Sequence, residues 1–259
     1  MLIINADDYG RDEKSTDHIL ICFHNKRITS TSAMVFMADS ERAAGLARDV
    51  SLGIGLHLNF TSPLSGTVIP DRLRDGHDRI MAFLRGGKYR FLLFNPFLRR
   101  RFEYSYRAQY EEFLRLYDRP PTHIDGHHHM HLCGNMVVQR LIPLRTRVRT
   151  TFSFSGKEKG VLNRGYRRKI SKWVSKRYIC TSFLYGMGPL VQSAEQRAER
   201  LGRIIQRAAE TSVELIVHPQ NQNEFDFLMS DEYAALISKA EKIGYESLGS
   251  AGLEPTRSK

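Results

Sequence analysis

Two adjacent acids, Asp7 and Asp8, follow the apolar run LIIN at positions 2–5, with only Ala6 between. Neighbouring carboxylates in a dry site repel each other unless a cation or proton lies between them, so metal binding is one chemistry the pair allows. Capping of the next helix, or a turn, is the other. Successive side chains of a regular strand face opposite ways, so both acids point inward only where the chain leaves the pleat, as Tyr9-Gly10 suggests. A second concentration lies in THIDGHHHMHL, where five of the ten histidines fall between 123 and 131, a density that makes metal binding the default reading. An extended chain would put His123, Asp125, His127, His129 and His131 on one face, whereas a helix would group His123, His127 and His131. Spacing leaves that choice open; one or two of the rings touch metal, and Asp125 orients a neighbouring imidazole from behind. His57 and His218 each fit an ordinary half-buried histidine when taken alone. With the acids they complete a set: one carboxylate and two imidazoles to hold a divalent ion, a free carboxylate as base and a histidine as acid. Three protein ligands leave positions for water and substrate, as a catalytic site requires.

These residues share a position: each follows or closes a strand-like stretch. LIIN at 2–5, TSAMVFM at 31–37, LGIGLHLNF at 52–60, THID at 122–125, VRTTFSF at 148–154, TSFLYG at 181–186 and VELIVH at 213–218 read as strands. Helical patterns alternate with them. One starts at Ser15-Thr16-Asp17, one covers Ser40 to Val50, and one covers Tyr104 to Tyr117. The alternation predicts an α/β protein: a single domain over 1–259, folded as an irregular (β/α) barrel of about seven parallel strands. A Gly- and Arg-rich interruption at about 61–101 reads as an insertion or lid at the rim. In such folds the carboxyl ends of the strands converge on one mouth, which is where the suspicious side chains fall.

A hydrophobic share of 41% with 26% charged residues excludes a disordered chain. The N-terminus has no signal-peptide pattern, and the apolar FLLFNPFL at 91–98 is far shorter than the ~20 residues a membrane span needs. Three cysteines without a CxxC pair argue against disulfides and thiolate zinc sites, giving a cytoplasmic expectation, either free or peripheral to the inner membrane face. The net charge of +11 predicts an anionic partner. Its excess crowds into Arg85, Lys88, Arg90, Arg99, Arg100 and Arg101, and again into Arg164, Arg167, Arg168, Lys169, Lys172, Lys176 and Arg177. Solvated helix faces are the plain explanation, and peripheral contact with a membrane or an anionic glycan is the sharper one.

NADDYG at 5–10, GLHLNFTSPL at 55–64, PTHIDGHHHMH at 121–131 and the strand-terminal HP at 218–219 together resemble the motifs of the YdjC-like carbohydrate deacetylases. These include chitooligosaccharide deacetylases and the hopanoid-associated HpnK proteins. The resemblance implies a β/α barrel related to polysaccharide deacetylases and hydrolysis of an N-acetyl group on an amino sugar, an oligosaccharide or a glycolipid. Carried over by position, Asp8, His57 and His127 match the metal ligands, Asp7 the catalytic base and His218 the general acid. Arg149 matches a region where similar proteins place an arginine near substrate, with Arg147 an equal candidate. Asp125 is a further substrate-side candidate. One divalent ion is implied: such proteins are described as magnesium-dependent, although two imidazoles and a carboxylate suit zinc, manganese or cobalt better. The chain departs from the family at HPQN, where a glycine often follows HP, so extra amides stand at the mouth.

Two other classes fit less of the pattern. A metal-dependent phosphoesterase would use the positive surface to steer its substrate. A basic nucleic-acid or membrane-surface protein with a structural ion would draw on the amphipathic stretch around Ile170, Trp173 and Val174, but leaves Asp7 and His218 without a role. No specific nucleic acid is therefore expected, and a homo-oligomer is compatible with the sequence.

Overall fold

The computed structural model describes residues 1–153, 161–187 and 193–249. Strands β1 (Leu2–Tyr9), β2 (Ser30–Ala33), β3 (Gly53–Leu58), β4 (Ile124–Gly126), β5 (Phe183–Gly186) and β6 (Val213–Val217) form one all-parallel sheet in the order β4-β3-β2-β1-β6-β5. Parallel strands covered on both faces read as continuous apolar runs. Accordingly every residue of β1, β2, β3, β4 and β6 is buried. The sheet curls into a half-barrel. The stretch expected as a strand at 148–154 instead makes one isolated bridge, Val148 with Ile124, next to that of Arg147 with Ile179; its last residue lies outside the described ones. Its neighbourhood crosses the open side and bonds to both edges. Ile124 N donates to Arg147 O at 2.9 Å, Val148 N to Ile179 O at 2.9 Å, and Ser153 N to Leu184 O at 2.9 Å. Six strands and this bridged segment thus stand where about seven strands were expected.

Local chemistry sets the boundaries. Helix α1 (Glu13–His24) starts before the predicted Ser15-Thr16-Asp17 because the Asp12 carboxylate accepts from Ser15 N at 2.8 Å and caps the helix there. β2 stops at Ala33 rather than Met37, since Phe36 takes a left-handed backbone (φ 58°) and its carbonyl accepts from Ser65 N and Gly66 N. The pattern over Ser40 to Val50 folds as α2 (Ser40–Leu46) and a 3-10 turn, Ala47–Asp49. The stretch 61–101 contains α3 (Asp71–Arg85), which buries Leu73, Ile80 and Leu84 and packs on α4 (Arg99–Tyr117). Beyond β4 come α5 (Gly134–Gln139), α6 (Val161–Arg177), α7 (Ala194–Glu210), α8 (Gln222–Met229) and α9 (Asp231–Ile237). Among the described residues no helix is long and apolar enough to cross a membrane.

Candidate active site

β1 lies between β2 and β6, so its end reaches the middle of the mouth. The pleat breaks at Asp8, whose φ is 75°, and the β1–β2 register shifts between Ala6 and Tyr9. A bulge of this kind re-aims side chains, and here it turns both acids toward the same cluster. The break comes one residue before Tyr9-Gly10. Asp8 Oδ1 lies 3.3 Å from His57 Nε2 and 3.2 Å from His127 Nδ1, yet it is buried without a well-formed hydrogen bond. Its other oxygen, Oδ2, accepts from Gln220 Nε2 at 2.8 Å and faces Arg11 Nη1 at 3.2 Å. Burial would raise the Asp8 pKa, but His127 and His57 outweigh it and hold the carboxyl well below the usual range.

His57 sits opposite Asp125 in the β3–β4 register, and its Nδ1 is 2.7 Å from Asp125 Oδ1. That contact fixes the ring so that Nε2 faces Asp8. Burial disfavours a charged ring, yet Asp125 and Asp7 push His57 up to about 10. The cluster therefore demands positive charge at this point. Asp8, His57 and His127 bring ligand-type atoms within 4.8 Å of one another, and so do Asp7, His57 and Asp125.

Asp7 is held by a fork of two 2.7 Å hydrogen bonds from Arg149 Nη1 and Nη2, with a third from Asn5 Nδ2 at 3.0 Å. Arg149, expected beside substrate, is instead fully buried. It also pairs with Asp125 at 2.6 Å and Glu214 at 2.8 Å, and Glu214 in turn bonds the Tyr245 hydroxyl. Asp125 is equally buried, so both residues lie beneath Asp7 and His57 rather than at the surface of the mouth. Arg147 points elsewhere and donates to the carbonyls of Leu248 and Glu246. Three carboxylates, Asp7, Asp125 and Glu214, thus surround one buried guanidinium, and Asp8 stands beside them against His57 and His127, a concentration of acids that a divalent cation would offset.

His218 is half-exposed; its backbone N–H donates to Glu224 Oε1 at 2.7 Å and its Nε2 stands 4.0 Å from Asp7 Oδ2. The histidine run is neither extended nor a regular helix, because His128 and His129 have φ of 53° and 61°. Only His127 of that run joins the candidate ligand set. His123 stacks on Tyr245, with ring centres 3.6 Å apart, and His131 Nε2 lies 3.0 Å from Arg149 O. His129 packs edge-on against Phe152.

Sequence reasoning did not single out Arg11, Ser32, Glu214 or Tyr245, took Asn5 only as part of a motif, and flagged Gln220 only as one of the extra amides of HPQN. Glu214 offered a signal, a lone charge inside the apolar strand VELIV, and Asn5 another, a buried amide closing LIIN.

The parallel α/β half-barrel gathers these carboxylates and imidazoles at the C-terminal mouth of its strands, where α/β folds of this kind place their sites. The YdjC-like protein family matches residues 1–239, and the chain belongs to that family. It is 32% identical over 157 residues to a chitooligosaccharide deacetylase of Proteus mirabilis, covering 56% of this chain and 58% of that protein. A chitooligosaccharide deacetylase of Salmonella dublin is 29% identical over 153 residues, with the same coverage. The chain therefore spans somewhat under three fifths of these relatives' length. A crystal structure of a proposed cellobiose-phosphate cleavage protein from Enterococcus faecalis V583 has the same fold, with a TM-score of 0.66 at 21% identity over 95% of this chain and 98% of that one.

Proposed function

We propose that the chain hydrolyses the N-acetyl group of an amino sugar, with Asp8, His57 and His127 holding one divalent ion. The observation that carries this reading is Asp8 Oδ1, a buried carboxylate oxygen with no hydrogen-bond partner, faced by two imidazole nitrogens at 3.3 and 3.2 Å. Such an oxygen is costly unless a cation completes it. When bound, a divalent ion supplies Lewis acidity, polarising an acetamide carbonyl and acidifying water. Two imidazoles and a carboxylate favour zinc, manganese or cobalt over magnesium.

The chain's own residues supply the remaining chemistry. Asp7 takes the proton from the attacking water; the Arg149 fork fixes the plane of its carboxylate. His218, half-exposed across from Asp7, gives a proton to the departing sugar amine. Arg149 and Asp125 are positioning residues for Asp7 and His57. The stretch 61–101 borders the mouth at its start, where Thr61 Oγ1 lies 3.1 Å from His128 Nδ1, and serves as a rim over the single 1–259 domain. The similarity to chitooligosaccharide deacetylases supports an N-acetylglucosamine oligomer as first substrate.

Acetate release from such oligomers, by metal-depleted and metal-restored protein and by the Asp7→Asn variant, tests this reading. Restoration should recover activity, and Asp7→Asn should lose turnover while still binding metal. Phosphate release from simple phosphoesters in place of acetate release would refute it, as would an active Asp7→Asn enzyme.

A further inference from the structure

The two basic segments differ in what their apolar residues do. On α6, Val174 is fully buried and Ile170 and Trp173 pack on the core, so the amphipathic face noted in the sequence is occupied. Between α3 and α4 the reverse holds. Tyr89, Leu92, Leu93, Phe94 and Phe97 are exposed within nine residues, with Phe97 85% and Leu93 59% accessible. Arg85, Lys88, Arg90, Arg99 and Arg100 flank them and are exposed, and no acidic residue occurs between Asp78 and Glu103. Among the described residues no carboxylate forms an ion pair with these five cations; Asp75 takes Arg79 and Arg101 instead.

We infer that the segment Tyr89–Arg100 is a docking surface for an anionic membrane. A protein interface of this apolar content would be depleted of charge at its centre, whereas this one is dense in uncompensated cations. That combination suits a bilayer surface, where aromatic and leucine side chains enter the headgroup region and Arg and Lys remain level with the phosphates. The segment is anchored firmly enough to transmit an orientation. Asn95 N donates to Asn135 Oδ1 and Asn135 Nδ2 to Asn95 O, both at 2.9 Å, and a side chain at Gly134 would strike the Leu93 carbonyl at 2.5 Å. Both contacts lie on α5, directly after the loop that carries His127, so docking sets the mouth beside the membrane. The inference goes beyond the proposed reaction and does not depend on it.

Flotation of the full chain with mixed phosphatidylcholine–phosphatidylglycerol vesicles tests it, with phosphatidylcholine vesicles as control. The wild type should float with the anionic vesicles alone and detach as salt rises. L93E/F97E should abolish flotation. R99Q/R100Q should weaken it about 25-fold, taking about fivefold per basic residue at an anionic surface. K172Q/K176Q on α6 should bind like wild type. No flotation of the wild type would overturn the inference, as would unchanged binding by L93E/F97E. A wild-type dimer in sedimentation velocity that L93E/F97E dissolves would assign the patch to a second copy instead.

Discussion

The two oxygens of Asp8 keep different company. Oδ1 faces the imidazoles, while Gln220 and Arg11 claim Oδ2, so the carboxylate is held with a single oxygen directed at the cluster. Gln220 belongs to the HPQN turn that departs from the family's usual glycine, and its Oε1 is buried without a partner. Its amide holds Asp8 Oδ2 in place, and groups that orient a metal ligand in this way commonly contribute 10–100-fold to metal affinity. Because Arg11 shares the oxygen, the Gln220→Leu variant should bind zinc about tenfold more weakly, at the low end of that range. Competition with a chelator measures this directly; an unchanged affinity would leave Arg11 as the sole orienting group.

At the scale of elements, β3 and β4 can approach as they do because position 55 has no side chain. A Cβ at Gly55 would overlap the His123 ring, which cannot retreat because it is stacked on Tyr245 from the other side. Gly55→Ala should therefore cost about 1–3 kcal/mol in urea unfolding, as overpacking does. Adding His123→Ala should return part of that loss, and no recovery would mean that the clash is not the cause. The same elements show what the sequence could and could not disclose. β3 and β6 were legible within two residues at either end because buried parallel strands are almost continuously apolar, with His57 and Glu214 the exceptions. β2 was overread because Met34 to Met37 stay buried and apolar after leaving the ladder, which only backbone angles reveal. Arg149 was ambiguous because an arginine in an extended stretch looks like surface charge and Arg147 stands beside it; its partners at 7, 125 and 214 are remote along the chain. The histidine run pointed to metal through composition, but its left-handed turn at 128–129 leaves His127 alone in the cluster and gives His123 and His131 to packing.

Those packed rings make the whole molecule sensitive to acid. Burial holds His123 at about 3 and His131 at about 4, whereas the unfolded chain takes up protons at the ordinary 6.5. The folded state thus binds fewer protons between these values, so stability from both rings is fully present above 6.5 and is lost as pH falls toward 4. Glu214 acts in the opposite sense: burial lifts it to about 7 against the pull of Arg149, so its fold keeps a proton that the unfolded chain has released between 4.5 and 7. His77, His128 and His129 are lowered by burial as well, and Glu224 is raised, so no single group can be read from the net slope. A variant that changes one ring separates them, because every other titration is common to both proteins. His123→Phe preserves the stack on Tyr245 and removes one proton site. Its unfolding free energy should therefore depend on pH less steeply than the wild type's by about 1.4 kcal/mol per pH unit between 4.5 and 6. Urea unfolding of the two metal-depleted proteins across that range measures the difference, and parallel slopes would show that His123 takes up its proton equally in the folded and unfolded chain.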